Sequence, residues 1–128
     1  MSAKQDEWPV ICCYSRADAL ADGTLVDVSE VARAAKFTVP VAMTTTVWTR
    51  CVEVPDGVRT LSQPVRLWNL LAEAHYAIRA SWSRVDRISF ELVVARPEGG
   101  IERVEILALC HGDDNGEPVL TLLFDGEE

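Results

Sequence analysis

The chain has 128 residues, 48% of them hydrophobic and 25% charged, proportions that suit one compact domain with a buried core. Its net charge of −8 is local: from Glu98 onward nine acids (Glu98, Glu102, Glu105, Asp113, Asp114, Glu117, Asp125, Glu127, Glu128) stand against one base, Arg103, whereas residues 1–97 hold eleven of each sign. That imbalance argues against a broad basic surface for nucleic acid, and the lack of a long apolar run or of a basic, greasy start points away from membranes and secretion, to the cytoplasm.

Val10 to Tyr14 reads as a short apolar strand, and the residues after it as a helix with Ser15 as N-cap, Asp18 as its capping-box partner and Gly23 as the stop. Thr24 to Val28 is rich in β-formers. Asp27 or Ser29 then caps a second helix running to about Lys36, with Val31, Ala34 and Ala35 turned inward. Phe37 to Met43 is expected as a third strand, placed at an edge or strand end by Pro40. Val47, Trp48, Cys51 and Val52 recur at helical spacing behind a Thr44 cap, and Pro55-Asp56-Gly57 closes that element as a turn.

The longest helix is expected from Ser62 or Gln63 to about Ala80, with Pro64 in its first turn and Leu67, Leu71, Ala74 and Ile78 as its apolar stripe. Ile88, Phe90, Leu92 and Val94 alternate with polar neighbours. The turn Glu98-Gly99-Gly100 leads to a second alternating strand through Val104, Ile106, Ala108 and Cys110. Asp113-Asp114-Asn115-Gly116 turns the chain again into Val119–Phe124, apolar enough for a central strand. The fold class is α+β: short β-α-β-α elements, one long central helix and a C-terminal antiparallel three-stranded meander.

Common catalytic signatures are missing. No Walker loop, Gly-x-Gly-x-x-Gly, Gly-x-Ser-x-Gly or His-Glu-x-x-His occurs, and the weight falls on a role that is not enzymatic. Cys12, Cys13, Cys51 and Cys110 lie in apolar segments without zinc-ligand spacing, so reduced core thiols, no metal and no cofactor are expected. A nucleophile pair of Cys12 or Cys13 with His75 is the competing reading. The acids of Asp113-Asp114-Asn115-Gly116 lack the spacing of a calcium loop and read as a hairpin turn. Trp8, Trp68 and Trp82 read as packing residues.

Two residue sets carry the functional expectations. In the first, Glu98, Glu102, Glu105, Asp113, Asp114 and Glu117 on the meander present carboxylates that imitate a phosphate backbone and enter a basic groove on a partner protein. The bland alternative is a solvated face. In the second, Tyr14, Arg16, Asp22, Asp27, Thr44 and Trp48 fall at strand ends and first helical turns, where ligands gather on α/β sheets. Arg16 and Tyr14 there grip an anion or stack on a base. Against it, Ser15 and Thr44 are explained as caps and Trp48 as core.

The segments Tyr14 to Ser29, Pro40 to Thr44 with Val47-Trp48, Arg66-Leu67-Trp68 and Gly112 to Val119 resemble a small family of bacterial proteins, a domain of unknown function carried on conjugative plasmids and other mobile elements. The resemblance covers most of the chain and transfers no catalytic residue. It implies an accessory protein that protects its element by inhibiting a host restriction or CRISPR complex. The opening strand, Tyr-Ser-Arg and the helix ending in Asp-Gly also look like the start of ADP-ribosyltransferase folds, whose later catalytic Glu motif is not recognisable. The alternative function is therefore a nucleotide- or small-ligand-binding domain, or a degenerate transferase of that kind. A structural assembly subunit is a third possibility.

Overall fold

A computed structural model describes residues 15–81 and 86–127. The expected strand Val10 to Tyr14, and with it Trp8, Cys12, Cys13 and Tyr14, lies outside the described residues, as does Trp82.

The first helix, α1 (Arg16–Asp22), starts as its sequence dictates: Ser15 Oγ accepts from the Asp18 N–H at 2.9 Å, and Asp18 Oδ2 accepts from the Ser15 N–H at 3.3 Å. Gly23, at φ +86°, ends it. After β1 (Leu25–Asp27) comes α2 (Ser29–Ala34), shorter than expected and without a side-chain cap. Asp27 and Ser29 hold the corner instead. Asp27 Oδ1 accepts from the Ser29 N–H and hydroxyl at 3.0 and 2.6 Å, and Ser29 Oγ accepts from the Val41 N–H at 3.0 Å.

A Schellman motif stops α2: the Phe37 N–H donates to Ala32 O and the Lys36 N–H to Arg33 O, with Lys36 at φ +78° in the place glycine usually fills. Ala35 is buried and Val31 half-buried as expected, whereas Ala34 faces solvent, because the inward face of the helix runs through Val28, Ala32 and Ala35 at helical spacing.

Strand β2 (Val41–Thr44) begins after Pro40 rather than at Phe37. Pro40 thus marks a strand end, but β2 is an interior strand, not an edge. Thr44 Oγ1 caps α3 (Thr45–Val47) at the Val47 N–H, 3.3 Å away, and the coil widens into a π-helical turn over Trp48–Val52. The long helix α4 (Gln63–Ala80) has its Ser62 cap and Pro64 in the first turn; it buries Leu67, Leu70, Leu71 and Ala74, with Ile78 half-buried.

The expected meander is present as β3 (Arg87–Ala95), β4 (Ile101–Gly112) and β5 (Pro118–Phe124), each antiparallel to the next. It forms part of a larger sheet of order β1-β2-β5-β4-β3, in which β2 pairs parallel with β5. An apolar strand such as β5 needs neighbours on both sides, and β2 supplies the second. On one face Val41, Met43, Leu120, Leu122, Ile106, Phe90 and Leu92 form the core with α2, α3 and α4. On the other face Ala42, Val119, Thr121, Leu107 and Leu123 are also buried, and α1 packs there. Among the described residues no helix is long and apolar enough to cross a membrane.

Candidate functional site

Arg16 lies over Thr121. Its Nη1 donates to Thr121 Oγ1 at 2.6 Å and its Nη2 to Leu120 O at 3.3 Å. Thr121 Oγ1 also lies 2.7 Å from His111 Nε2, and His111 Nδ1 lies 3.0 Å from Gly112 O. A guanidinium only donates and a carbonyl only accepts, which sets the directions in this chain for a neutral imidazole. Arg16 donates to the threonine oxygen, the threonine hydroxyl donates to Nε2, and Nδ1–H donates to Gly112 O.

The charges of three carboxylates act on the same guanidinium. Burial lowers the pKa of Arg16, and the charges of Asp27, Asp113 and Asp114 oppose that shift. Arg16, Asp27, Ser29, Asp113 and Asp114 line a shallow cleft of about 290 Å³. Thr121 and His111 stand at the distance of a nucleophile and its base, yet the hydroxyl is buried and already accepts from Arg16. The arrangement latches α1 onto the sheet.

Of the expected ligand set, Arg16 and Asp27 share this cleft. Thr44 lines a separate hollow with Asp22 and Glu127 at the other end of α1, where its hydroxyl donates to Glu127 Oε1 at 2.9 Å. Trp48 packs half-buried against the helix-side core, and Tyr14 lies outside the described residues. His75 packs edge-on against Phe37 with ring centroids 5.3 Å apart.

The six meander carboxylates do not make one face. Asp114 accepts from the main-chain N–H groups of Arg16 and Ala17 at 3.0 and 3.1 Å, and Asp113 accepts from those of Asn115 and Glu117, each at 2.9 Å. Glu102 points to the helix side and pairs with Arg50, whose guanidinium also stacks 4.9 Å from the Phe124 ring centroid. Glu105 points to the opposite side, where it lies across from Glu91 and accepts from Ser89 at 2.7 Å. Glu98 sits in the exposed turn between β3 and β4, and β4 separates that turn from Asp113 and Asp114 by its length of 12 residues, about 40 Å.

Three exposed apolar residues lie around β3, which sequence reasoning did not single out; Tyr76 and Trp68, the latter expected as a packing residue, are exposed on α4, and Leu20 is exposed on α1. Val93 and Ile101 are 53% and 62% exposed on one side of the sheet, and Val65, at the start of α4, is 55% exposed on the other. Between them lies a groove of about 320 Å³ lined by Leu61, Val65, Asn69, Leu92 and Val94. The alternation of β3 did carry a signal, since Val93 interrupts the polar series Ser89, Glu91 on the solvent side. Thr121 carried one too, as the only hydroxyl in Val119–Phe124.

Residues 3–128 match a family of unknown function, DUF6573. The chain belongs to the DUF6573 family. No curated protein and no solved structure matches it. Among the described residues of this DUF6573 protein no group of three or more His, Cys, Asp or Glu side chains is placed to hold a metal ion. Family membership names no substrate, so a functional reading of a DUF6573 protein rests on surfaces such as the Arg16 cleft and the β3 groove.

Proposed function

We propose that this protein works by binding another protein rather than by catalysis, as an accessory protein of a bacterial mobile element that inhibits a nucleic-acid-handling host complex of the anti-restriction or anti-CRISPR type. One observation carries the reading: exposed Val93 and Ile101 stand beside exposed Glu91 and Glu105 on one face of the β3–β4 hairpin. Arg103 stands among them, directly across from Val93, so this face offers apolar residues with two carboxylates against one guanidinium, a balance that suits a partner with basic residues. The acidic surface of the proposal is thus centred on Glu91, Glu98 and Glu105, because Asp113 and Asp114 spend their carboxylates on main-chain N–H groups. The Arg16 cleft supports a nucleotide or ligand site less well, since two guanidinium nitrogens are already engaged.

The test is the efficiency with which unmodified plasmid DNA transforms a restricting or CRISPR-targeting host, with and without the protein, alongside capture from that host's lysate after nuclease treatment across a salt series. Wild type should raise transformation and retain a nucleic-acid-binding protein in a salt-sensitive way, and E91K/E105K should lose both effects. Protection by the double variant equal to wild type would overturn the acidic-surface reading. Loss of both on Arg16→Ala in a folded protein, with E91K/E105K unaffected, would move the function to the cleft.

A further inference from the structure

The hydrogen bonds at the two ends of the β3–β4 ladder establish which main-chain groups of β3 face outward. The Arg96 N–H donates to Gly100 O and the Cys110 N–H to Asp86 O, so even-numbered residues of this strand bond to β4. Odd-numbered residues turn their N–H and C=O groups to the sheet edge. Arg66 confirms the direction independently: its Nη1 donates to the outward Ala95 O at 2.9 Å, closing the edge at that end. Across Ser89, Glu91 and Val93 no described residue takes up these groups. The register with β4 runs unbroken from Arg87 to Ala95, with no bulge and no proline to blunt the edge.

The side chains around this edge differ between its two sides. Toward the helices lies the apolar groove of Leu61, Val65, Leu92 and Val94. On the opposite side Glu91 faces Glu105 directly across the strands, a like-charge pair that costs stability. Arg103 reaches Glu91 only at 3.8 Å, and both side chains are largely exposed. A strand laid along β3 would place alternate side chains beside Glu91 and over the groove. Lysine or arginine answers the first position and a valine-sized apolar group the second.

We infer that β3 is a strand-addition site, and that its occupant is an extended segment of a partner protein in which basic and apolar residues alternate, paired to the main chain of Ser89–Val93. This assignment rests on the protein-binding reading above and specifies its contact.

The probe is an acetylated, amidated eight-residue peptide of alternating valine and lysine. It is compared with a valine–glutamate peptide and with two backbone-methylated forms, one N-methylated at the lysines and one at the valines. Binding is followed by anisotropy and by amide shifts and hydrogen exchange of the folded full-length protein. The plain peptide should bind and protect the Ser89, Glu91 and Val93 amides. Methylation at the lysines, which stand opposite Glu91 and must exchange main-chain bonds with it, should weaken binding at least about tenfold, the loss of roughly one or two hydrogen bonds. Methylation at the valines should be tolerated. Glu91→Lys should weaken the lysine peptide and favour the glutamate one, and Val65→Glu, at an exposed helix position, should weaken the plain peptide without unfolding the protein.

Equal binding of both methylated forms, with loss only on charge reversal, would overturn strand addition while leaving an acidic docking surface in place. No binding of the lysine peptide overturns the assignment outright, and the transformation assay then judges the protein-binding reading separately. A concentration-dependent dimer that protects the same amides would make a second copy the occupant and would overturn the partner inferred here.

Discussion

Asp114 holds Arg16 by the main chain as well as by charge: its Oδ1 accepts from the Arg16 N–H at 3.0 Å, across 98 positions of sequence. Its Oδ2 takes the next N–H, that of Ala17, at 3.1 Å. The carboxylate therefore ties the β4–β5 turn to the start of α1, beside the internal cap from Ser15. Asp114→Ala should cost about 1 kcal/mol in urea denaturation, the usual worth of a lost cap, and Asp114→Asn less. An unchanged midpoint for Asp114→Ala would show that water replaces the carboxylate without loss.

Thr121 is the joint of the buried polar chain. Replacing it with valine leaves Arg16 Nη1 and His111 Nε2 facing a methyl group, so Thr121→Val should destabilise by about 1–3 kcal/mol despite the matching shape. Adding Arg16→Met should cost less than the sum of the two single changes, because each removes the same bond. Additive losses measured by urea unfolding would show the two side chains to be energetically separate.

Lys36 adopts a left-handed conformation at φ +78°, which costs a side-chain-bearing residue more than glycine. Lys36→Gly should leave the Schellman motif intact and raise stability by about 0.5–1 kcal/mol, read from the thermal midpoint. A fall in the midpoint would mean that the lysine side chain contributes more than its backbone strain removes.

Burial pushes the Cys51 thiol up to about 11 from 9.0, against the pull of Arg50 and Arg66. The folded state then binds a proton that the unfolded chain releases, so this contribution to stability is complete below pH 9 and is lost as pH rises toward 11. Wild type should lose stability relative to Cys51→Ala across that window. In native protein, alkylation followed by peptide mass spectrometry should label exposed Cys110 well before Cys51, although burial and Asp86 raise the Cys110 pKa as well. Comparable labelling rates at the two sites would contradict the packing of Cys51.

Much of the local architecture is legible in the residues themselves. The Ser15–Asp18 box, Gly23, the Ser62 cap, the alternation of β3 and β4 and the Gly99-Gly100 turn are short-range signals, because their donors and acceptors lie within a few positions of each other. The end of α2 was legible to within about two residues, at Ala34 against an expected Lys36, although a lysine occupies the place where glycine would have marked the stop. The start of β2 was misplaced because Phe37 is buried without being in a strand, and burial alone does not distinguish the two.

What lies outside the reach of sequence is every contact made across the sheet. Apolar composition determined that Val119–Phe124 would be central, but only the folded chain decided that Val41–Thr44 would pair parallel with it and turn a three-stranded meander into a five-stranded sheet. Charge counting found the acids of the last quarter, yet not their separation: side chains alternate across a strand, so Glu102 and Glu105 part to opposite faces, and the reach to Arg16 draws Asp114 into the structure. Arg16 was identified as a ligand residue from its place at a helix start, and tertiary structure gave it Thr121 instead. The physical reason is the same in each case. Hydrophobic periodicity and capping act along the chain, whereas pairing of strands and satisfaction of buried polar groups depend on residues that meet only after folding.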